Sequence, residues 1–206
     1  MRADERRLAW DARHQAGDFE GVGPNPTLVD GASGLPRGRA LELASGSGTN
    51  AVWLATQGWQ TTAVDWSPVG LANGRAKAEA DGVSVDWLER DLLTWSPPER
   101  SFDLVVIVYL HLPRVERVPV YRRAAAAVAR GGRMLVVGHH PLNATEGQGG
   151  PSDTDRLFGA EDIAVDLLTA DPDLRVERAE VVRRVSPPGR GPIDSLLVVC
   201  RPSLQE

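Results

Sequence analysis

Apolar positions along the chain switch between two periods, and the switching predicts alternating strands and helices. A short amphipathic helix is expected over residues 4–16, followed by the turn-rich stretch GDFEGVGPNP and a short helix near Leu28. Residues 39–44 read as a strand, and residues 49–57 as a helix with Ala51, Leu54 and Ala55 on one face and Gly58 as its stop. Residues 60–65 form the next strand. Ser67 then offers an N-cap with Pro68 at the first helical position, and that helix runs to Gly82. Residues 83–88 alternate like a half-buried strand, whereas residues 102–110 are continuously apolar, as in a parallel strand covered on both faces. A helix is expected to start near Pro119 and carry AAAAVAR to a stop at Gly131–Gly132, with a fifth strand over residues 133–138. A polar loop, residues 141–156, precedes a helix over residues 160–170. Two last strands, 174–185 and 193–200, are joined by SPPGRGP with no helix between them, so they pair as an antiparallel hairpin.

This order implies an α/β fold: a Rossmann-like, doubly wound, mostly parallel seven-stranded sheet with a C-terminal antiparallel hairpin. A chain of 206 residues fits one domain, with residues 1–36 as an N-terminal helical segment and 37–206 as the core. Ligands on such sheets bind at the carboxyl ends of the strands. The formal net charge of −5 gives no electrostatic footprint for nucleic acid or an anionic membrane. With a single cysteine, Cys200, no intrachain disulfide can form. No apolar run reaches the roughly 18 residues of a membrane span, and the charged start lacks a signal-peptide core. A cytoplasmic protein is therefore expected. The sequence carries no signal for an oligomeric state.

Candidate chemistry follows the first three strands. In ALELASGSGTNA, Gly46 and Gly48 allow a tight turn and close approach of backbone to a ligand. Glu42 sits in an otherwise apolar strand, where a charge is costly unless it meets a partner or an open crevice. Asp65 ends the second strand, where a carboxylate can accept from both hydroxyls of a ribose or serve as a helix N-terminal acid. Asp91 follows the third strand. It can accept from an adenine amine while the Leu92 N–H donates to the ring, or it can be a turn acid.

Together these segments resemble class I S-adenosylmethionine (SAM)-dependent methyltransferases over nearly the whole chain. ELASGSG resembles the family's acidic, glycine-rich first motif, with Ala44 in place of the usual first glycine. VDWS resembles its ribose-binding acid and RDLL its adenine-binding acid. FDLVVIVYLHLP resembles its fourth-strand motif, and GGRMLVVGHH the strand that follows a Gly-Gly turn. Within the class, WDARH, GPNP and NAVWLA resemble the tellurite-resistance and thiopurine S-methyltransferase-like group, although His14 stands where an aromatic is usual. The resemblance implies SAM as cofactor, held by Trp10, Arg13, Glu42, Ala44, Gly46, Gly48, Asp65, Trp66, Asp91, Leu92 and Tyr109, and no metal. A nicotinamide-binding oxidoreductase is the rival, since Gly46, Gly48 and Ala51 fit its fingerprint. Against it stand Glu42, Asp91 and the terminal hairpin, which leaves no room for a substrate domain. A non-catalytic SAM-binding module is the other alternative.

For the methyl acceptor, His111 at the end of the fourth strand and His139 or His140 at the end of the fifth are the candidate catalytic groups, as bases or orienting groups. Neighbours on a strand point opposite ways, so at most one of His139 and His140 faces a pocket. The 141–156 loop and the N-terminal segment are candidate covers. A small-molecule acceptor is expected. A thiol comes first by resemblance, and O- or N-methylation of a small metabolite is the alternative.

Overall fold

The computed structural model describes residues 3–18, 21–186 and 189–203. Within them the chain forms two compact units, Met1–Trp95 and Ser96–Glu206.

In the first unit, helix α1 (Ala3–Gln15) and the short α2 (Pro26–Ala32) precede strand β1 (Arg39–Leu43). Helix α3 (Thr49–Thr56), strand β2 (Gln60–Asp65), helix α4 (Pro68–Ala80) and strand β3 (Val85–Glu89) follow. The caps are those that the residue types allow. Asn25 accepts from the backbone N–H of Thr27 and Leu28 to open α2, and Ser67 accepts from Gly70 to open α4. β1, β2 and β3 run parallel, with Glu42 opposite Ala63 and Asp65 opposite Glu89.

The second unit holds β4 (Phe102–Val108), α5 (Arg114–Ala126), β5 (Val128–His139), α6 (Asn143–Glu146), a 3-10 turn (Thr154–Arg156), α7 (Ala160–Ala170), β6 (Arg175–Ser186) and β7 (Gly189–Cys200). β4 pairs parallel with β5, whereas β7 runs antiparallel to both β5 and β6. Strand order is β3-β2-β1 in the first unit and β4-β5-β7-β6 in the second. The seven strands make the expected Rossmann-like mixed sheet with its terminal antiparallel hairpin. β4 is buried from Leu104 to Ile107, matching its continuous apolar run.

Several boundaries differ from the sequence expectation, among them β7, which begins at Gly189 rather than at residue 193. Helix α5 starts at Arg114, so Pro119 lies inside it. A proline there removes one hydrogen bond and costs about 3 kcal/mol. Burial of Val120, Tyr121, Ala124 and Ala125 on the same helix offsets that cost. The helix ends at Ala126, and Gly131–Gly132 breaks a strand rather than the helix. The β4–β5 register jumps there, from Phe102 opposite Val128 to Leu104 opposite Arg133. Gly131 has φ +80°, and a Cβ at Gly132 would meet carbonyl oxygens at 3.0 Å, so only glycine fits this bulge. The polar loop after β5 is not structureless, since it contains α6 and the 3-10 turn. Pro187 and Pro188 of the hairpin connection, and Phe19 and Glu20 of the early turn-rich stretch, lie outside the described residues. Among the described residues no helix is long and apolar enough to cross a membrane.

Candidate active site

In the first unit the carboxyl ends of β1 and β2 build one cradle. The chain leaves β1 through Ala44, at φ +57°, and turns at Gly46 (φ +52°) and Gly48 (φ +69°) into α3. Asp65 ties the turn down from β2. Its Oδ2 accepts from the Gly46 N–H at 2.8 Å, and its Oδ1 accepts from the Ser67 N–H at 2.8 Å. Burial raises the Asp65 pKa above its usual range, and those two backbone donors oppose the rise. A carboxylate oxygen can accept more than one hydrogen bond, so both oxygens keep capacity for a ligand hydroxyl.

Glu42 lies beneath the same turn, 1% exposed. Asn50 on α3 donates to its Oε1 at 2.8 Å and also accepts from the backbone of Asn25, the α2 cap. This chain of contacts ties GPNP and the start of α3 to Glu42. Oε2 of Glu42 is buried without a hydrogen-bond partner among the described residues. Desolvation pushes the Glu42 pKa up to about 8. A buried, half-satisfied acid under a glycine turn suits a ligand that brings positive charge.

Gly48 answers to packing as well as to conformation. A Cβ there would come within 2.3 Å of the Trp87 ring, and one on Gly74 within 2.5 Å. Trp87 therefore fills a slot between two glycines. Asp91 makes a local turn, its Oδ1 accepting from the Leu93 N–H at 2.9 Å. Leu92 is half-buried beside it, and Trp66 lies under the Arg6 guanidinium at 5.8 Å from the ring centre.

Helix α1 packs on this cradle through His14, which the sequence reading noted only as a departure from the usual aromatic. His14 is 6% exposed, and its ring lies 3.1 Å from the point where Gly46 or Gly70 would carry a Cβ. Asp11, on the same helix, accepts from the Ser67 hydroxyl at 2.5 Å. Trp10 is 38% exposed, and Arg13 stacks on it while donating to Asp18. The helix thus turns His14 onto the glycine turn. The signal was the i, i+3 spacing of Asp11 and His14 on one helical face.

In the second unit the carboxyl ends of β4 and β5 gather three rings. His111 and His139 stack with centroids 5.1 Å apart and planes within 2°, and Tyr109 lies 4.8 Å from His139 and 5.8 Å from His111. Tyr109 takes φ +59°, uncommon for a bulky residue. His111 Nε2 accepts from the backbone N–H of His139 at 3.0 Å. Burial, followed by the neighbouring His139, pushes the His111 pKa down to about 3. His140 Nδ1 accepts from the Leu142 N–H, closing the turn after β5.

Behind the rings lies Asp194 on β7, fully buried and directly opposite His139 in the antiparallel register. Its Oδ1 is 3.0 Å from His139 Nδ1. Its Oδ2 accepts from the Tyr109 hydroxyl at 2.9 Å and lies 2.8 Å from Arg184 Nε. Arg184 also donates to the Tyr109 hydroxyl. Asp194 and Arg184 were not identified from sequence. An acid inside the apolar run of the last strand was the available signal.

A methyltransferase-domain family model matches residues 40–132. A demethylmenaquinone methyltransferase of Thermus thermophilus is 33% identical over 105 residues, covering 50% of this chain and 48% of that protein, so the chain spans about half that relative's length. A phosphatidylethanolamine N-methyltransferase of Cereibacter sphaeroides is 31% identical over 150 residues, 68% of this chain and 71% of that protein. Among solved structures, one described under conversion of a disulfide bond into a thioacetal group during echinomycin biosynthesis superposes with a TM-score of 0.72 at 20% identity, covering 98% of this chain and 94% of the other. The chain belongs to the class I SAM-dependent methyltransferases.

Proposed function

We propose that the chain transfers the methyl group of SAM to a small molecule, with a thiol sulfur as first-choice acceptor, in the manner of the tellurite-resistance and thiopurine S-methyltransferase-like group. The observation that carries the small-acceptor reading is the cluster of Tyr109, His111 and His139 at the carboxyl ends of β4 and β5. It offers a narrow, polarisable wall with proton-accepting nitrogens, suited to a compact nucleophile.

The residues of the first unit fit SAM. Asp65 has spare acceptor capacity for ribose hydroxyls, the unpartnered Oε2 of Glu42 suits a cationic ligand, and the turn at Gly46 brings bare backbone to the surface of the cradle. Ala44 and Gly48 shape that turn. Asp91, Leu92, Trp66, Tyr109, Trp10 and Arg13 complete the proposed cofactor set. SAM supplies an electrophilic methyl on a sulfonium. The protein binds, orients and excludes water. A thiolate acceptor gains from a desolvated site, because its charge and the sulfonium's cancel as the bond forms.

The test is a screen of small thiols, phenols, amines and halides with labelled SAM. Methyl transfer to thiols supports the reading. Transfer confined to amines or phenols overturns the choice of sulfur in favour of N- or O-methylation. Calorimetry that shows NADH but not SAM binding would overturn the whole assignment.

A further inference from the structure

Arg117 on α5 is 3% exposed, and among the described residues no carboxylate lies within ion-pair distance of it. Its Nη1 donates to the Leu112 carbonyl at 3.4 Å, long for a hydrogen bond, and its Nε is buried without a partner. The Phe158 ring lies 4.8 Å from the guanidinium carbon and offsets part of the cost of burial. Burial still pulls the Arg117 pKa below its ordinary value, although Asp166 and Asp162 act the other way. A guanidinium stays charged in such surroundings, and a buried charge left unanswered is costly.

Arg117 reaches the wall of a cleft of about 740 Å³, formed by the start of α5, the 3-10 turn and α7. That volume suits a small molecule rather than a peptide or a nucleic acid. Val115 and Val165, 84% and 63% exposed, give its α5 and α7 walls apolar surface open to solvent. The N-cap of α5 is Pro113, and no side chain caps the helix. The backbone N–H groups of its first turn therefore add partial positive charge to the same wall. Arg114 pairs with Asp166, and Asp162 accepts from the Gly159 N–H to cap α7. The positive charge left for a ligand is that of Arg117.

We propose that this cleft binds a small organic carboxylate, its charged end on the Nε edge of Arg117 and its apolar body against Val115 and Val165. A planar carboxylate accepts two parallel hydrogen bonds from a guanidinium edge, and its single charge matches the single cation that is unanswered. Phosphate brings more negative charge, which the Asp155 and Asp162 carboxylates in the lining oppose. The site lies wholly within the second unit, and its occupancy is read without cofactor and without methyl transfer.

Titration of the full chain with benzoate, followed by nitrogen NMR of the arginine Nε–H groups and of the backbone, tests this. The expected result is a saturable shift of the Arg117 Nε–H and of the Arg114 and Val115 amides. Benzamide, which has the same ring without the charge, and inorganic phosphate should each bind at least about tenfold more weakly. Arg117→Met should weaken benzoate at least about tenfold, and Arg117→Lys, which keeps the charge without the planar fork, by less. Val165→Glu, at an exposed position that the fold tolerates, places a like charge on the wall and should weaken benzoate severalfold. It decides the matter if Arg117→Met does not fold. No saturable shift at Arg117, or benzamide or phosphate binding as tightly as benzoate, overturns the proposal. Benzoate affinity unchanged in a folded Arg117→Met or in Val165→Glu overturns it as well.

Discussion

The glycine-turn cradle of the first unit and the ring cluster of the second hold their buried acids differently. Asp65 is held by neutral backbone N–H groups that belong to its own turn and the neighbouring one. Asp194 is surrounded by side chains: the Tyr109 hydroxyl donates to its Oδ2, while Arg184 Nε and His139 Nδ1 lie 2.8 Å and 3.0 Å away without hydrogen-bond geometry. The first arrangement leaves the carboxylate with spare capacity toward a ligand. The second spends Oδ2 inside the protein, on the Tyr109 hydroxyl and beside Arg184. A buried acid therefore does not announce its role by burial alone. What it is hydrogen-bonded to decides whether it keeps capacity for a ligand.

The largest effect expected in the cradle follows from this difference. Asp65→Ala should weaken SAM binding by about 1–3 kcal/mol, roughly 5- to 150-fold, as charge-assisted hydrogen bonds are lost. Calorimetry measures it. The His139 and His111 NMR signals should stay in place in this variant. An unchanged dissociation constant would reduce Asp65 to a loop-fastening acid and erase the contrast with Asp194.

Glu42 sharpens the comparison through pH. Its pKa rises from an ordinary 4.5 to about 8 on burial. Between those values the folded state keeps a proton that the unfolded chain has released, so stability falls as pH rises through the window. The slope from this group is at most about 1.4 kcal/mol per pH unit. Glu42→Gln should therefore gain melting temperature relative to the parent as pH goes from 5 to 8, in cofactor-free protein. A constant difference across that range would show that Glu42 is ionised throughout, against its surroundings.

The cradle was largely legible in the sequence and the ring cluster was not. Asp65 and the turn at Gly46 lie at the ends of adjacent parallel strands, and a β-α-β spacing places such positions together without knowledge of the rest of the fold. Glu42 was visible as a lone acid in an apolar strand. Asp194 was equally lone in its strand. Its partner His139, however, is set by the register of an antiparallel pair, and a shift of one residue would turn Asp194 to the other face. Arg184 needs the register of β6 as well. The boundary of α5 failed for a related reason: long-range burial along the helix overrode the local preference of Pro119.

The smallest effect separates strain that can be removed from strain that is used. Ala44 and Tyr109 both leave parallel strands in the left-handed region, at φ +57° and +59°. A residue with a Cβ is disfavoured there by about 1–2 kcal/mol, and glycine is not. Glycine gives back about 0.5–1 kcal/mol through the greater freedom of the unfolded chain. Ala44→Gly should therefore stabilise the protein by roughly 0.5–1 kcal/mol in urea denaturation, because the lost methyl carries no polar contact. At Tyr109 the same exchange relieves the same strain, but it removes the hydroxyl that donates to Asp194 and accepts from Arg184, along with the ring stacked on His139. Tyr109→Gly should lose stability where Ala44→Gly gains it. If both exchanges stabilised, the ring cluster would contribute less to stability than the backbone strain at Tyr109 costs.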